Sequence, residues 1–268
     1  MSKVERGLVP TDFGYIHYRA MGDGQPVMIS HINQQSSALM LELMAALAPS
    51  MRAIAIDYPS HGHSDHVSEQ PTIGTYAECV VQVMDALGIE TASAMGEAVG
   101  AAVTTELAGR WPERIRRAVL VNCPWYSEVS DADASHEPLI DRLRPADPSG
   151  FPTTRTIEFM LEHDPTHAPM APTQSWMDRI NVAQLEAGRD RWQALAALRL
   201  FPFPEKLAAI ACPTLLLIGE HFHYLKFRQE FESRISDVRI EVVQGGRFCM
   251  TWEHADKIGR RAVEFFGE

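Results

Sequence analysis

A short run near the middle of the chain has the spacing of a turn that presents a nucleophile. After an apolar, strand-like segment, Gly96-Glu97-Ala98-Val99-Gly100 leads into a helix-like stretch rich in small residues. Two glycines at this spacing allow a strained strand-to-helix turn that pushes the middle side chain outward, and the following helix directs backbone N–H groups to the same place. Ala98 holds the middle position, and its methyl group has no lone pair for attack. The pattern predicts a nucleophile elbow without its nucleophile.

The elements that must position this turn are short apolar runs that alternate with helical patterns. Several runs are apolar throughout, which is typical of parallel strands covered on both faces. Strand and helix patterns in alternation predict a doubly wound α/β sheet. The predicted strands are Gly14–Tyr18, Pro26–His31, Arg52–Asp57, Thr91–Met95, Arg117–Asn122, Thr214–Gly219 and Arg239–Val243.

The alternation stops between Pro124 and Pro204, where no strand-like run occurs. Helical patterns appear there instead, at Arg155–Leu161 and Trp176–Leu198. An insertion of this length with helices of its own is more typical of a cap over one sheet edge than of a loop. We therefore expect a core formed by residues 1–123 and 205–268, with a helical cap formed by residues 124–204 inserted after the sixth strand.

Further segments together resemble the α/β-hydrolase superfamily. His31-Ile32-Asn33-Gln34-Gln35-Ser36-Ser37 follows the Pro26–His31 strand, in the place of the family's His-Gly loop. The family's Asp-x-x-Gly-x-Gly-x-Ser segment has a counterpart in the stretch that begins at Asp57. Pro213–Glu220 looks like the strand before the catalytic acid, and Gln244-Gly245-Gly246 with Trp252-Glu253-His254 looks like the frame of the catalytic histidine. The resemblance covers essentially the whole chain and implies the α/β-hydrolase fold.

The same alignment implies that the catalytic triad is missing. Phe222 stands at the acid position and Phe248 at the histidine position, while Ala98 replaces the nucleophile. Three losses together favour a natural lineage without triad hydrolysis over a single engineered Ser→Ala change. A one-residue shift of the alignment is the alternative, since His221 and His223 flank Phe222 and His254 follows Phe248. The two flanking histidines also have metal-ligand spacing, but without a third ligand we expect them to be solvated and expect no metal.

The resemblance also implies which remaining groups form the pocket. The backbone N–H groups of Val99 and Ile32 are the candidates for a residual oxyanion hole. Asn33 stands where haloalkane-dehalogenase-like sequences carry a halide-binding asparagine. His31 usually supports its loop in the family, but it remains a polar candidate for catalysis.

Glu97 is a second acid–base candidate, since burial can raise the pKa of its carboxyl group; a structural glutamate held by hydrogen bonds is the alternative. Trp125 and Trp176 of the cap and His223 of the core are the candidates for substrate contact. With Ala98, Val99, Phe222 and Phe248 as its floor, the expected chamber is unusually apolar.

Composition and charge limit the classes of partner and the compartment that we expect for this protein. The chain has 268 residues, 46% of them hydrophobic, and a formal net charge of −11. An acidic surface repels phosphate backbones and anionic lipids, so we expect neither a nucleic-acid nor a membrane partner. Four scattered cysteines and an N-terminus without a signal-peptide pattern favour the cytoplasm, and no stretch approaches the length of a membrane span. A homo-oligomer remains open.

These observations favour a cofactor-independent protein that binds a small, largely apolar, cyclic molecule. Shape, desolvation and residual dipoles would then assist non-hydrolytic chemistry of the isomerase, cyclase or lyase type. One alternative is an esterase or carbon–carbon bond hydrolase whose nucleophile is replaced by Ala98. The other is a pseudoenzyme that binds a ligand without transforming it.

Overall fold

A computed structural model describes residues 3–132 and 153–268. Eight strands form one sheet in the order β1-β2-β4-β3-β5-β6-β7-β8. Strand β2 runs antiparallel to both of its neighbours, and all other pairs are parallel. The predicted α/β-hydrolase fold with a mostly parallel sheet is confirmed. The strands are β1 (Glu5–Thr11), β2 (Gly14–Met21), β3 (Gln25–Ser30), β4 (Met51–Ile56), β5 (Ala92–Glu97), β6 (Ile115–Val121), β7 (Thr214–Gly219) and β8 (Val238–Val243).

Helices connect the strands and flank the sheet. Helix α1 packs against α10, α2 packs against α3, and α3 also lies on β5 and β6. Short 3-10 turns occur at Ser37–Met40, Gly188–Trp192 and His223–Phe227. The α-helices are α1 (Leu41–Leu47), α2 (Ile73–Ala86), α3 (Val99–Arg110), α4 (Ile157–His163), α5 (Gln174–Ala187), α6 (Gln193–Arg199), α7 (Phe203–Ala208), α8 (Arg228–Arg234), α9 (Met250–Glu253) and α10 (Ala255–Phe266).

The inner strands explain why their runs are apolar throughout. All six residues of β5 and all six of β7 are buried, because helices cover both faces of a parallel sheet. The edge strand β1 differs: Val9 is its one buried residue, opposite Ile16 of β2. A half-exposed edge strand has no continuous apolar run, which is why the sequence patterns omitted β1.

The segment between β6 and β7 contains helices and no strand within its described residues, 124–132 and 153–204. Helix α4 overlaps the predicted helix Arg155–Leu161. The predicted helix Trp176–Leu198 is divided, because Gly188 ends α5 with a positive φ of 56°. Residues 133–152 of the expected cap lie outside the described residues. Helix α7 crosses the expected boundary between residues 204 and 205.

A salt bridge joins this segment to the core. Arg179 of α5 donates to both carboxylate oxygens of Glu42 in α1, at 2.6 and 3.1 Å, and to the carbonyl oxygen of Ala38 at 3.2 Å. A bidentate arginine–carboxylate pair has a defined geometry. It therefore orients α5 relative to the start of α1. Within residues 3–132 and 153–268, no helix is long and apolar enough to cross a membrane.

The start of α3 approaches the end of β3 so closely that only glycine fits at position 100. A Cβ atom built on Gly100 would lie 2.1 Å from the carbonyl oxygen of Ser30. Since that oxygen belongs to the backbone, a larger residue must displace β3 or α3. We expect Gly100→Ala to lower the free energy of unfolding by at least about 2 kcal/mol.

The matched control is Gly74→Ala in α2, where the nearest atom to a built Cβ is the Thr72 hydroxyl oxygen at 3.4 Å. This change should be neutral or stabilise by up to about 1 kcal/mol, because alanine favours helix. Urea unfolding of both variants compares the two. Similar effects would contradict the close approach of α3 to β3.

Candidate active site

The nucleophile turn forms as the glycine spacing predicts. Ala98 follows β5 and precedes α3. Its backbone angles, φ 53° and ψ −111°, are ones that residues other than glycine rarely adopt. Its N–H group donates to the carbonyl oxygen of Val121 at 3.1 Å, and its carbonyl oxygen accepts from Ala101 and Ala102 at 3.0 and 3.2 Å. The N–H and carbonyl groups of Ala98 are therefore both held by hydrogen bonds, and these contacts keep the turn in its strained conformation.

Ala98 borders a cavity of about 330 Å³ between the sheet and the helical segment. This volume is at the lower end of the roughly 300–1,000 Å³ typical of small-molecule sites. The core contributes Ile32–Gln35 after β3, Phe222–Tyr224 after β7, and Phe248 and Cys249 after β8. The helical segment contributes the apolar residues Met160, Trp176, Ile180, Leu195 and Leu198, and the polar residues Arg155, Asp164, His167 and Gln184.

The structure brings the three aligned triad positions to this one cavity. The rings of Phe222 and Phe248 lie nearly parallel, 20° apart, with their centroids separated by 6.1 Å. Both side chains are buried, and both border the cavity together with Ala98. At this part of the wall, Ala98 contributes a methyl group, and Phe222 and Phe248 contribute two phenyl rings.

The histidines near the aligned positions differ in where they lie: His221 and His254 do not border the cavity, whereas His223 does. Asn122, which directly follows β6, has a fully buried carboxamide that joins strand ends. Its amide nitrogen donates to the Glu97 carboxylate and to the carbonyl oxygen of Arg247, and its oxygen accepts from the N–H group of Gly219. Burial raises the pKa of the Cys249 thiol well above its usual range, so the thiol stays protonated and is a weak nucleophile.

Glu97 lies away from the cavity and accepts four hydrogen bonds. The donors are the amide group of Asn122, the N–H group of Met250, and the N–H and hydroxyl groups of Thr251, at 2.7 to 3.0 Å. Burial raises the pKa of the carboxyl group, and the four donors act in the opposite direction. The structure therefore does not bring this expected acid–base candidate to the substrate side. Glu97 joins β5 to the start of α9.

His31 also lies behind the cavity wall. Its Nδ1 lies 2.7 Å from the carbonyl oxygen of Ile32, and its Nε2 accepts from the N–H group of Tyr58 at 3.3 Å. Burial lowers the pKa of this imidazole to about 3, so it is neutral at physiological pH. His31 supports its loop, while the adjacent Ile32 and Asn33 border the cavity.

The remaining candidates divide in the same way. Trp176 and His223 border the cavity, as expected of substrate contacts. Trp125 does not: its ring packs against Phe227 and Phe231, at centroid distances of 6.3 and 5.8 Å. The side chain of Val99 is fully buried.

Sequence reasoning missed two features of the wall. Gln34 is buried, has a positive φ of 59°, and its amide nitrogen has no hydrogen-bond partner among the described residues. Strained backbone combined with an unpaired polar group is typical of functional sites. Asp164 and His167 form the second feature: Oδ1 of the aspartate lies 2.7 Å from Nδ1 of the histidine. Their i, i+3 spacing just after a predicted helix was the available signal.

Comparison with known proteins agrees with this fold. The family described as alpha/beta hydrolase fold matches residues 25–254, and the chain belongs to it. Carboxylesterase YbfK of Bacillus subtilis is 24% identical over 266 residues, covering 96% of this chain and 86% of that protein. Haloalkane dehalogenase 2 of Mycobacterium tuberculosis is 29% identical over 220 residues, covering 77% and 74%. The crystal structure of a hydrolase from Pseudomonas aeruginosa superposes with a TM-score of 0.81 at 21% identity, covering 98% of this chain and 99% of that one.

The hydrogen bonds of Glu97 predict a stability effect. In Glu97→Gln, an amide group replaces one carboxylate oxygen, so at least one of the four donors faces another donor. We expect the free energy of unfolding to fall by about 2 kcal/mol. The control is Glu162→Gln, whose side chain is 78% exposed, with an expected change within about 0.5 kcal/mol. Urea denaturation measures both variants, and equal stabilities would contradict the structural role of Glu97.

Burial of His31 predicts a pH effect on stability. Its pKa is about 3 in the folded chain, against an ordinary value of 6.5, so the unfolded chain binds more protons between these pH values. The contribution of His31 is fully present above pH 6.5 and is lost as the pH falls towards 3. As the pH falls, the free energy of unfolding should therefore decrease more steeply for wild type than for His31→Gln. The difference between the two slopes should be up to about 1.4 kcal/mol per pH unit. Urea unfolding between these limits tests this, and parallel pH profiles would exclude it.

Proposed function

We propose that this member of the alpha/beta hydrolase family binds a small, largely apolar, cyclic molecule and transforms it without triad hydrolysis. The observation that carries the proposal is that Ala98, Phe222 and Phe248, the residues aligned with nucleophile, acid and histidine, all border one cavity. Isomerisation, cyclisation or elimination requires no covalent nucleophile, and an apolar wall that excludes water favours such steps over hydrolysis.

The cavity supports a ligand with few polar atoms. Most of its wall is apolar, but the amide nitrogen of Gln34, the indole nitrogen of Trp176 and the carboxamide oxygen of Gln184 have no hydrogen-bond partners among the described residues. Buried polar groups are costly when unpaired, so a bound molecule that pairs with one or two of them gains affinity and orientation. Phe222 and Phe248, with nearly parallel rings, fit the edge or face of a cyclic ligand.

We further propose that residues 124–204 serve as the cap and residues 1–123 and 205–268 as the core. The cavity is lined from both sides, and the Arg179–Glu42 pair joins them. Opening of the cap would admit the ligand, and its closure would exclude water. All four cysteines are free and buried, which fits a reducing compartment such as the cytoplasm.

An esterase without its nucleophile is the second candidate, favoured by the similarity to carboxylesterase YbfK. The two candidates differ in what restores ester hydrolysis: an esterase that lacks only its nucleophile would regain activity in Ala98→Ser alone, whereas the proposed function requires changes at all three positions. We expect wild type to leave p-nitrophenyl butyrate unchanged beyond the buffer rate, and the triple variant Ala98→Ser, Phe222→Asp, Phe248→His to release p-nitrophenol. A gain of about 100-fold over wild type would follow from a restored nucleophile and base.

Ala98→Ser alone is the matched control, because it adds the hydroxyl group without the base that activates it. Wild-type ester turnover that is lost in His223→Gln would overturn the proposal, since it would reveal a working catalytic histidine. His221→Gln controls for that change, because His221 lies outside the cavity wall and its side chain is 50% exposed. A ligand that raises the melting temperature but stays unchanged on long incubation would favour the binding-only alternative.

A further inference from the structure

We propose that His167, oriented by Asp164, is the general base of this site, and that its substrates are apolar molecules with a C–H bond acidified by an electron-withdrawing group. The inference deepens the proposed function and rests on it. The proton acceptor comes from the helical segment and packs against Phe248, the residue at the aligned histidine position.

The hydrogen bond between the two side chains defines the tautomer of His167. Nδ1 of His167 lies 2.7 Å from Oδ1 of Asp164, and the aspartate side chain is only 3% exposed. A carboxylate accepts at this distance, so Nδ1 carries the hydrogen, and in the neutral imidazole Nε2 holds the lone pair. No described residue forms a hydrogen bond with Nε2. An imidazole whose second nitrogen is held by a carboxylate is the arrangement that orients a general base.

The backbone makes the pair rigid. Asp164 ends helix α4, and its N–H group donates to the carbonyl oxygen of Met160 at 2.9 Å. The N–H group of His167 donates in turn to the carbonyl oxygen of Asp164 at 3.3 Å. This turn holds the two side chains together without any other element, so the pair does not depend on a distant contact.

The His167 imidazole lies close to residues at the aligned triad positions. The His167 ring meets the ring of Phe248 edge-on at a centroid distance of 5.1 Å and that of His223 at 5.4 Å. Asp164, His167, Phe248 and Ala98 all border the same cavity. A ligand that lies against the phenyl ring therefore lies beside the base.

The chemistry requires no group beyond these residues. Nε2 of His167 takes a proton from the substrate carbon, and the electron pair of the C–H bond moves to the adjacent electron-withdrawing group. The imidazolium is stabilised by the Asp164 carboxylate. Return of the proton to another atom of the same molecule completes an isomerisation. Departure of a leaving group with the electron pair, followed by transfer of the proton from the imidazolium to that group or to solvent, completes an elimination.

The probe for this base is 5-nitrobenzisoxazole, a small apolar heterocycle. Removal of its ring C–H proton breaks the N–O bond, forms a nitrile and leaves a coloured phenolate, so no nucleophile is needed. We expect wild type to bind the probe, seen as a rise in melting temperature, and to release phenolate with saturation kinetics. His167→Gln should lower kcat by about 100-fold, the typical contribution of a positioned base.

Asp164→Asn tests the positioning role. An amide in place of the carboxylate disturbs the tautomer and leaves the imidazolium unpaired, so we expect kcat to fall at least about tenfold while KM changes less than about twofold. Asp164→Glu should restore part of kcat. The matched control is His163→Gln: His163 lies on α4, stacks on Phe159 and lies outside the cavity wall, so kcat should be unchanged. Urea unfolding verifies that each variant is folded.

The outcomes separate this inference from the proposed function. If wild type binds the probe but reacts no faster than free imidazole at the same concentration, or if His167→Gln retains wild-type kcat, the base assignment is wrong and the apolar binding site stands. If the probe does not bind, both the apolar site and the base assignment fall. Ester hydrolysis by wild type would overturn the proposed function on its own.

Discussion

The contact of Gly100 with the end of β3 is the constraint on which the site depends. Because position 100 has no side chain, the first turn of α3 approaches the Ser30 carbonyl oxygen, and Ala98 must then adopt its positive φ to connect β5 to α3. The same approach sets the distance between the elbow and the loop that begins at Ile32. Strain at Ala98 is thus a consequence of packing, and the surrounding structure holds the turn in this conformation.

A second set of interactions brings the β8 end to this turn. The buried carboxylate of Glu97 accepts from Met250 and Thr251, and Asn122 connects it to the ends of β6 and β7. Phe248 and Cys249 immediately precede the residues that Glu97 holds. The polar network therefore fixes the backbone next to Ala98 and Phe248, two residues that border the cavity.

The helical segment contributes polar and charged groups to the cavity wall. Arg179 connects it to Glu42 of the core, and its residues contribute the Asp164–His167 pair, Arg155 and Gln184 to the wall. Burial lowers the pKa of Arg155 to about 10, so the guanidinium remains charged at neutral pH, and the charge of Asp164 favours that state. If His167 acts as we propose, the helical segment provides the proton acceptor, and the core provides Ala98, Phe222 and Phe248 to the apolar part of the wall.

The sequence by itself determined seven of the eight strands, the elbow and the apolar positions. These depend on local patterns: continuous apolar runs, glycines two residues to either side of Ala98, and phenylalanines at fixed distances from recognisable strands. It did not determine which polar residues face the cavity. Glu97 and His31 were candidates from their positions beside strand ends, but tertiary hydrogen bonds turn the first toward Thr251 and the second toward Tyr58.

The position of His167 beside Phe248 is known only from the structure, because the contact joins residues that are far apart in the chain. Short-range periodicity carries no information about such contacts. The direction of a buried side chain is set by which partners satisfy its hydrogen bonds, and only the tertiary structure decides that.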